Sequence, residues 1–347
     1  MIDIRPVVLS GGSGTRLWPL SQKSRPKQFL QLDNSDTLFR KSLLRLLAVP
    51  NASRPLIVTA ADYLDLTLAG LGGIDAQVIL EPRGRNTAPA VVAAALMADL
   101  DDVLVVAPSD HLVSDDSAFV DAVTTAVSIA GEGGIVTLGV EPERADTGFG
   151  YIERGEALSA GHTIASFVEK PDVARAEVMV ESGRYLWNAG LFVGRAGVIL
   201  DEASRQRPDL VAAVEASLPD EQTDVVTLKE DFLDVVPEPF DKAVMESTQI
   251  GVVIPLRAGW SDVGSWQSVW QAAIKDTEGN SVIGAVVVAD SRNSYVSGSS
   301  RPVVVIGVEG VAVVETEDGI LVMSLDRSHD LRSIVERLPD QHGDTSG

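Results

Sequence analysis

Gly11, Gly12 and Gly14 close an apolar run, and Arg16 and Lys27 follow them in the stretch VVLSGGSGTRLWPLSQKSRPKQFL. Glycines directly after a strand let the backbone approach a phosphate closely, and the two cations supply compensating charge. Arginine offers a planar fork for paired phosphate oxygens, and lysine a compact charge on a flexible stem. The pattern matches neither common phosphate loop. A dinucleotide fingerprint begun at Gly12 needs glycine at position 17, which is Leu17, and a Walker loop needs Gly-Lys-Ser/Thr. Pro19 would fall inside the first turns of a helix begun at Gly14, where it lacks an N–H and clashes with the preceding turn. The turn is therefore expected to open into a long loop that carries Arg16 and Lys27 over a ligand. A glycine turn alone is equally compatible with a structural role.

Other chemistry-bearing residues stand where strand-like runs end. Glu81 follows QVIL, Ser109 and Asp110 follow VLVVAP, and Glu169-Lys170 closes IASFVE before Pro171. Open α/β sheets bind ligands at the carboxyl edge of their strands. Arg85, Asn86 and Thr87 form a polar turn before a helical stretch whose N-terminus would favour phosphate, with Thr87 as a plain N-cap the other reading. Asp262, in GWSDVGSW, has a similar alternative as the N-cap of a helix over 263–272.

The elements that must position these residues alternate. Strand-like runs at 6–10, 55–60, 77–80, 103–108, 135–140, 164–169, 190–194 and 251–256 are separated by helical patterns. Leu38, Phe39, Ser42, Leu43, Leu46 and Leu47 share one helical face after a candidate cap at Asp36, and helices are expected over 90–100 and 117–130. Several strands are apolar throughout, as when helices cover both faces of a parallel sheet. The expected fold is α/β: a doubly wound, mostly parallel, Rossmann-like sheet over 1–278. After Asn280, four valine- and isoleucine-rich runs follow one another without helices, which reads as a small β-rich, β-helix-like domain over 279–340 with a helix near 328–338. The polar residues 341–347 are expected to form a mobile tail.

The totals narrow the function classes. A chain of 347 residues suggests roughly two domains of ~100–200 residues. A net charge of −22 argues against general nucleic-acid binding, and any polyphosphate would need local cations, usually with a divalent metal, which directs attention to Arg16, Arg25 and Lys27. No run reaches the ~18 apolar residues of a membrane span, so no membrane partner is expected. The N-terminus lacks signal-peptide character, and with no cysteine in the chain a cytoplasmic location is expected. Three of the four histidines lie far from every motif, so a histidine base is not expected.

G-G-S-G-T-R-L-W-P-L followed by P-K-Q-F-L resembles the signature of the sugar-1-phosphate nucleotidylyltransferases. E-P-R-G-R-N-T-A-P is similar to the mannose-1-phosphate guanylyltransferase branch, and 107–113, 147–155, 167–172, 185–193, 240–246 and 259–266 resemble further family blocks in family order. The likeness is close over about 5–270 and loose beyond. Arg25 departs from it, standing where tyrosine or another apolar residue is common.

The resemblance implies that GTP and mannose 1-phosphate give GDP-mannose and pyrophosphate. It implies Arg16 on the leaving pyrophosphate, Lys27 on the α-phosphate, and Asp110 and Asp262 as Mg2+ ligands. Leu9, Gly11, Gly12, Gly14, Thr15, Arg85, Asn86, Thr87 and Ser109 would bind the nucleotide, with Glu81 accepting from guanine N1–H and N2–H2. Gly148, Gly150, Tyr151, Glu169, Lys170 and Asn188 would hold the sugar phosphate. Trp187 reads as packing and His111 as structural. Two alternatives stay open: another hexose 1-phosphate, or a non-catalytic nucleotide-sugar sensor. Larger members carry an added isomerase domain, and with this sequence ending at Gly347 no isomerase activity is expected. The edges of a small β domain need covering, so a homodimer is expected.

Overall fold

A computed structural model describes residues 3–12, 15–33, 35–221 and 223–338. Gly14 and the tail expected over 341–347 lie outside the described residues. The chain separates into two compact units, one of residues 1–11 and 39–260 and one of residues 12–38 and 261 onward. This division by compactness cuts the chain differently from a boundary at 278, because the loop after the glycine turn packs with the C-terminal segment.

In the first unit, β1 (Ile4–Ser10), α1 (Leu38–Leu47), β2 (Leu56–Ala60), α2 (Leu64–Leu71), β3 (Gln77–Glu81), α3 (Thr87–Leu96) and β4 (Val103–Pro108) alternate as expected. There follow β5 (Leu112–Val113), α4 (Asp116–Gly131), β6 (Ile135–Val140), β7 (Tyr151–Ala157), β8 (His162–Val168), α5 (Val173–Glu181), β9 (Tyr185–Arg195), α6 (Ala196–Gln206), α7 (Pro208–Ser217), β10 (Val225–Thr227) and β11 (Gly251–Pro255). The main sheet has the order β10-β3-β2-β1-β4-β9-β6-β11-β8-β7.

Its first half is parallel, with Val7 beside Leu56 on one side and Val106 on the other. These strands are buried on both faces, which is why their sequences are apolar without alternation. The second half is mixed where a mostly parallel sheet was expected. β9 runs against β4, β6 and β7, and β7 against β8. The link between β7 and β8 is a hairpin with no helix to carry a crossover, so antiparallel pairing is the only outcome. In β7, YIERGEA, only Tyr151 and Ile152 are fully buried and the strand grows more exposed toward its end, so no continuous apolar run marks it.

Parallel neighbours in the first half end on one edge, so the ends of β1, β3 and β4 deliver Gly11, Glu81 and Ser109-Asp110 to the same side of the sheet. Helix α3 begins at Thr87, three residues before the expected start. Its cap is Asn86, whose side chain accepts the Thr87 N–H at 2.8 Å. Pro89 fits the first turn, where an N–H has no partner within the helix.

In the second unit β13 (Ser281–Ala289), β14 (Tyr295–Ile306) and β15 (Val311–Thr316) are parallel, and β16 (Gly319–Ser324) closes the sheet antiparallel; β12 (Trp260–Ser261) precedes them. Val296, Val305 and Val313 form its interior with Val286, Val288, Val303 and Val311 against them. Parallel strands without crossover helices give the expected β-helix-like stack. Glu315 pins the turn before Val303: its carboxylate accepts the Ser300 hydroxyl and the N–H groups of Ser299, Ser300 and Arg301, and these bonds hold its carboxyl down at about 2. The loop 12–38 belongs to this unit. Trp266 Nε1–H donates to the Trp18 carbonyl at 3.1 Å, and the Tyr295 hydroxyl to the Leu32 carbonyl at 3.4 Å. Residues Thr15–Leu17 make only a short 3-10 turn, as Pro19 requires, and the Trp18–Pro19 bond is cis.

Candidate functional site

In the first unit the end of β3 places Glu81 inside the protein, 2% exposed. Its Oε1 has no hydrogen-bond partner among the described residues. A Cβ on Gly11 would sit 3.3 Å from Glu81 Oε2, and a Cβ on Gly84 would sit 3.3 Å from the Gly11 carbonyl. Glycines thus hold open the space in front of a buried acid. Burial pushes the Glu81 carboxyl up to about 8. A buried acceptor without a partner is destabilising, and a group that brings donors would relieve that cost. Gly84, the glycine inside E-P-R-G-R, stands beside this acid and was not among the residues singled out from the sequence.

Around this acid, the Ser109 N–H donates to the Leu9 carbonyl at 3.0 Å, tying the ends of β4 and β1. Asp110 follows, its Oδ1 3.8 Å from His111 Nε2. His111 Nδ1 accepts Trp260 Nε1–H at 3.1 Å, which gives this histidine the structural part expected of it. Arg85 donates to the Leu233 carbonyl, and Thr87 Oγ1 accepts the Phe240 N–H at 2.8 Å. With Asn86 as the cap, the reading of Thr87 as the N-cap is corrected. All three side chains of this turn brace the fold.

On the far half of the sheet, the residues expected at the sugar meet. Gly150 faces Glu169 so closely that a Cβ there would lie 2.6 Å from Oε2. Glu169 Oε1 accepts Lys170 Nζ at 2.7 Å, and Lys170 takes a left-handed φ of 47°. The Asn188 N–H donates to the Gly150 carbonyl at 2.8 Å, joining β9 to this corner. The Gly148 N–H donates to Asp146 Oδ1 at 2.9 Å. Tyr151 is corrected: it is fully buried with Ala176, Met179 and Trp187, and its hydroxyl donates to the Asp146 carbonyl, so it braces this corner from behind and lines nothing. Trp187 packs on Phe149 at 4.9 Å, as expected. Asp241, which the sequence reading passed over, is buried here and accepts from Asn188 Nδ2.

In the second unit, Lys27 is buried and its Nζ donates to the Asp262 carbonyl at 2.5 Å. Gln28 Nε2 donates to the Gly12 carbonyl at 3.0 Å, fixing the end of the glycine turn; this residue was also passed over, although it lies in P-K-Q-F-L. Asp262 Oδ1 accepts the Gly264 N–H at 3.2 Å. A Cβ at 264 would lie 2.5 Å from Asp262 Oδ2, so any larger residue there would displace the Asp262 carboxylate. Val263 between them is held at φ 50°, a costly conformation for a β-branched residue. The N-cap of α8 (Trp266–Ala272) is Ser265, with Ser268 completing a capping box, so the alternative of Asp262 as a cap is excluded. Arg16 is exposed, and Thr15 opens the 3-10 turn. Among the described residues no group of three or more His, Cys, Asp or Glu is arranged for a metal. Mg2+ takes one or two carboxylates and completes its shell with phosphate oxygens and water, and a carboxylate such as that of Asp110 in the first unit or Asp262 in the second is a donor of that kind.

Residues 5–279 match the nucleotidyl transferase family model. The chain belongs to the nucleotidyl transferase family. Residues 284–338 of this nucleotidyl transferase match a second model, the MannoseP isomerase/GMP-like beta-helix domain. A mannose-1-phosphate guanylyltransferase from Klebsiella pneumoniae is 40% identical over 346 residues, which cover 96% of this chain and 73% of the relative. A solved structure described as mannose-1-phosphate geranyltransferase from Thermus thermophilus is 34% identical with a TM-score of 0.86, covering 97% of this chain and 99% of that one. Another, described as mannose-6-phosphate isomerase from Helicobacter pylori, is 31% identical with a TM-score of 0.66, covering 75% of this chain and all of that one (100%). Among the described residues of this nucleotidyl transferase, no helix is long and apolar enough to cross a membrane.

Proposed function

We propose that this nucleotidyl transferase is a mannose-1-phosphate guanylyltransferase, transferring GMP from GTP to mannose 1-phosphate with release of pyrophosphate. Relatives of that name support the reaction. The observation in the fold that carries the choice of base is the buried Glu81 carboxyl, whose Oε1 has no hydrogen-bond partner among the described residues and whose Oε2 faces Gly11. Guanine presents two adjacent donors to such an acceptor, and adenine does not.

The sugar phosphate is already anionic near neutral pH, its second pKa being ~6, so no protein nucleophile or base is needed. One of its oxygens forms a bond to the α-phosphorus while the bond from that phosphorus to the bridging oxygen breaks in line, and the electron pair leaves with pyrophosphate. Lys27 neutralises charge at the α-phosphate and Arg16 at the departing pyrophosphate. Asp110 and Asp262 are the residues that would hold Mg2+, which supplies charge compensation to the phosphate oxygens. Glu169, Lys170 and Asn188 hold the mannose hydroxyls and phosphate. The sugar corner makes one sharp expectation. Gly150→Ala drives a methyl into Glu169, so the KM for mannose 1-phosphate should rise at least about tenfold while that for GTP stays within about twofold, the loss of one charged hydrogen bond. Steady-state kinetics with each substrate varied in turn would show it; equal rises in both constants would remove Glu169 from the sugar site.

Pyrophosphate release measured across the four NTPs and several sugar 1-phosphates tests the whole reading. Preference for another pair would return it to the wider family, and no release with any pair would favour a sensor. The description of the Helicobacter structure favours a second reading, mannose 6-phosphate isomerisation, and a fructose 6-phosphate assay on the same purified protein decides it; we expect no turnover.

The reading extends to a homodimer in the cytoplasm. Val287, Val304 and Ile306 are 61–65% exposed, and Val287 and Val304 are paired in register across β13 and β14. A second copy of this chain is the cover we assign to that apolar face. The double substitution Val304→Lys with Ile306→Lys should give a monomer by light scattering without changing which sugar is accepted. A monomeric parent protein at micromolar concentration would overturn the assignment.

A further inference from the structure

The side chain of Asp241 lies among groups proposed for the sugar but is named by none of the chemistry above. It opens a single π-helical turn, Asp241–Met245, in which the Glu246 N–H donates to the Asp241 carbonyl at 2.8 Å. Such turns are rare and concentrate at functional sites. The residue before it is held on two sides: Phe240 packs on Phe192 at 4.9 Å, and its N–H donates to Thr87 Oγ1. The position of Asp241 is therefore fixed by β9 and by the start of α3.

Asn188 is the residue this arrangement serves. Its Oδ1 accepts the Gly190 N–H at 3.1 Å and lies 2.9 Å from the Thr137 hydroxyl. The Thr137 hydroxyl also reaches the Leu191 carbonyl at 2.9 Å, and it has one proton to give, so the Gly190 N–H is the contact that fixes the oxygen end. Asn188 Nδ2 donates to Asp241 Oδ1, which fixes the nitrogen end. With the Gly190 N–H at its oxygen and an Asp241 oxygen accepting from its nitrogen, the amide has one permitted orientation. A carboxamide free to turn by half a rotation exchanges its donor and acceptor, and it would then satisfy a sugar hydroxyl in either epimeric position.

We propose that Asp241 is a positioning residue for sugar selection: it locks the Asn188 amide so that its remaining hydrogen-bonding capacity meets one hexose stereochemistry. This rests on the guanylyltransferase reading. Burial raises the Asp241 carboxyl to about 7, with the neighbouring Glu169 charge adding and Lys170 opposing, consistent with an acid placed where a second acid already stands. Such placement is destabilising by itself, which argues for a role beyond packing.

The test compares Asp241→Ala with Asp241→Asn in the full chain, reading KM for both substrates and the ratio of kcat/KM for mannose 1-phosphate over glucose 1-phosphate. Asp241→Ala should raise the sugar KM and lower that ratio, each by about tenfold, with the GTP KM unchanged within about twofold. Asp241→Asn keeps an oxygen facing Asn188 and should restore most of both. In an Asn188→Ala background, Asp241→Ala should change the ratio little, because the two act as one unit. If Asp241→Ala does not fold, Asp241→Ser, too short to reach Asn188, takes its place. An unchanged ratio in the Ala or Ser variant overturns the proposal, as does an Asn variant as poor as Ala, or an undiminished effect without Asn188. Failure of the parent protein to release pyrophosphate from GTP and mannose 1-phosphate would instead defeat the reading on which the proposal stands.

Discussion

Asp110→Asn and Asp262→Asn are each expected to lower turnover by at least about 100-fold at limiting Mg2+, the scale of losing one major electrostatic contact in a phosphoryl-transfer site. A chain with a net charge of −22 repels a triphosphate at long range and depends on local compensation. The substitutions keep shape and remove one negative charge, so the change falls on charge compensation. Asp262→Asn also leaves the backbone carbonyl that accepts from Lys27, so the lysine keeps its partner. The surroundings of Asp262 constrain its carboxylate: a glycine leaves room for it on one side, where a Cβ would push it away, and a valine at φ 50° holds the turn. Conformations of this cost persist where geometry matters more than stability. A binding readout separates ligation from folding. The parent protein should gain thermal stability from Mg2+ in the presence of GTP, and each variant should lose most of that gain while melting normally alone. Near-normal rates in both variants at limiting Mg2+ would remove the two carboxylates from the metal.

The legibility of this molecule followed its backbone physics. Strands buried on both faces, such as VVLS and VLVVAP, announce themselves as apolar runs, and their parallel order places Gly11, Glu81 and Asp110 on one edge. β7 was not legible, because YIERGEA is buried only at its first two residues and carries no apolar run, and the short edge strand β10 carries three residues. Residues that end a strand were readable as candidates. Residues that act through another were not: Asp241 and Gln28 take their meaning from Asn188 and Gly12, which are far away in sequence. Tyr151 was misplaced for the same reason. Its neighbours in the chain belong to the sugar corner, but the start of β7 is covered on both faces, and the Tyr151 ring packs with Ala176, Met179 and Trp187 while Ile152 is buried beside it. Capping also needed the third dimension, since Asn86 and Thr87 are both good caps by type, and only the Phe240 N–H decides between them.

Glu81→Gln is expected to weaken GTP relative to ATP by about 1–3 kcal/mol, the usual cost of mispairing a buried polar group, and to remove a pH dependence that the parent protein should show. The Glu81 carboxyl is raised from an ordinary 4.5 to about 8 by burial. Between these values the folded chain holds a proton that the unfolded chain has released. Its stabilising contribution is therefore complete below about 4.5, declines as pH rises, and is gone by about 8. Two donors on guanine favour the ionised carboxyl, so GTP binding should pull the pKa down and release a proton over the same window. GTP affinity should then rise between about pH 6 and 8 more steeply than in Glu81→Gln, whose amide cannot ionise and which still carries the titration of the nucleotide itself. Calorimetry in two buffers of different ionisation enthalpy reads the released proton directly. The Gln variant should also resist unfolding better than the parent above about pH 8, where the parent must hold an uncompensated charge inside. An unchanged GTP/ATP ratio of kcat/KM in the variant would move base selection to the backbone of Leu9, Gly11 and Gly12. A parent protein with the same pH profile as the variant would mean that the buried acid does not face the base.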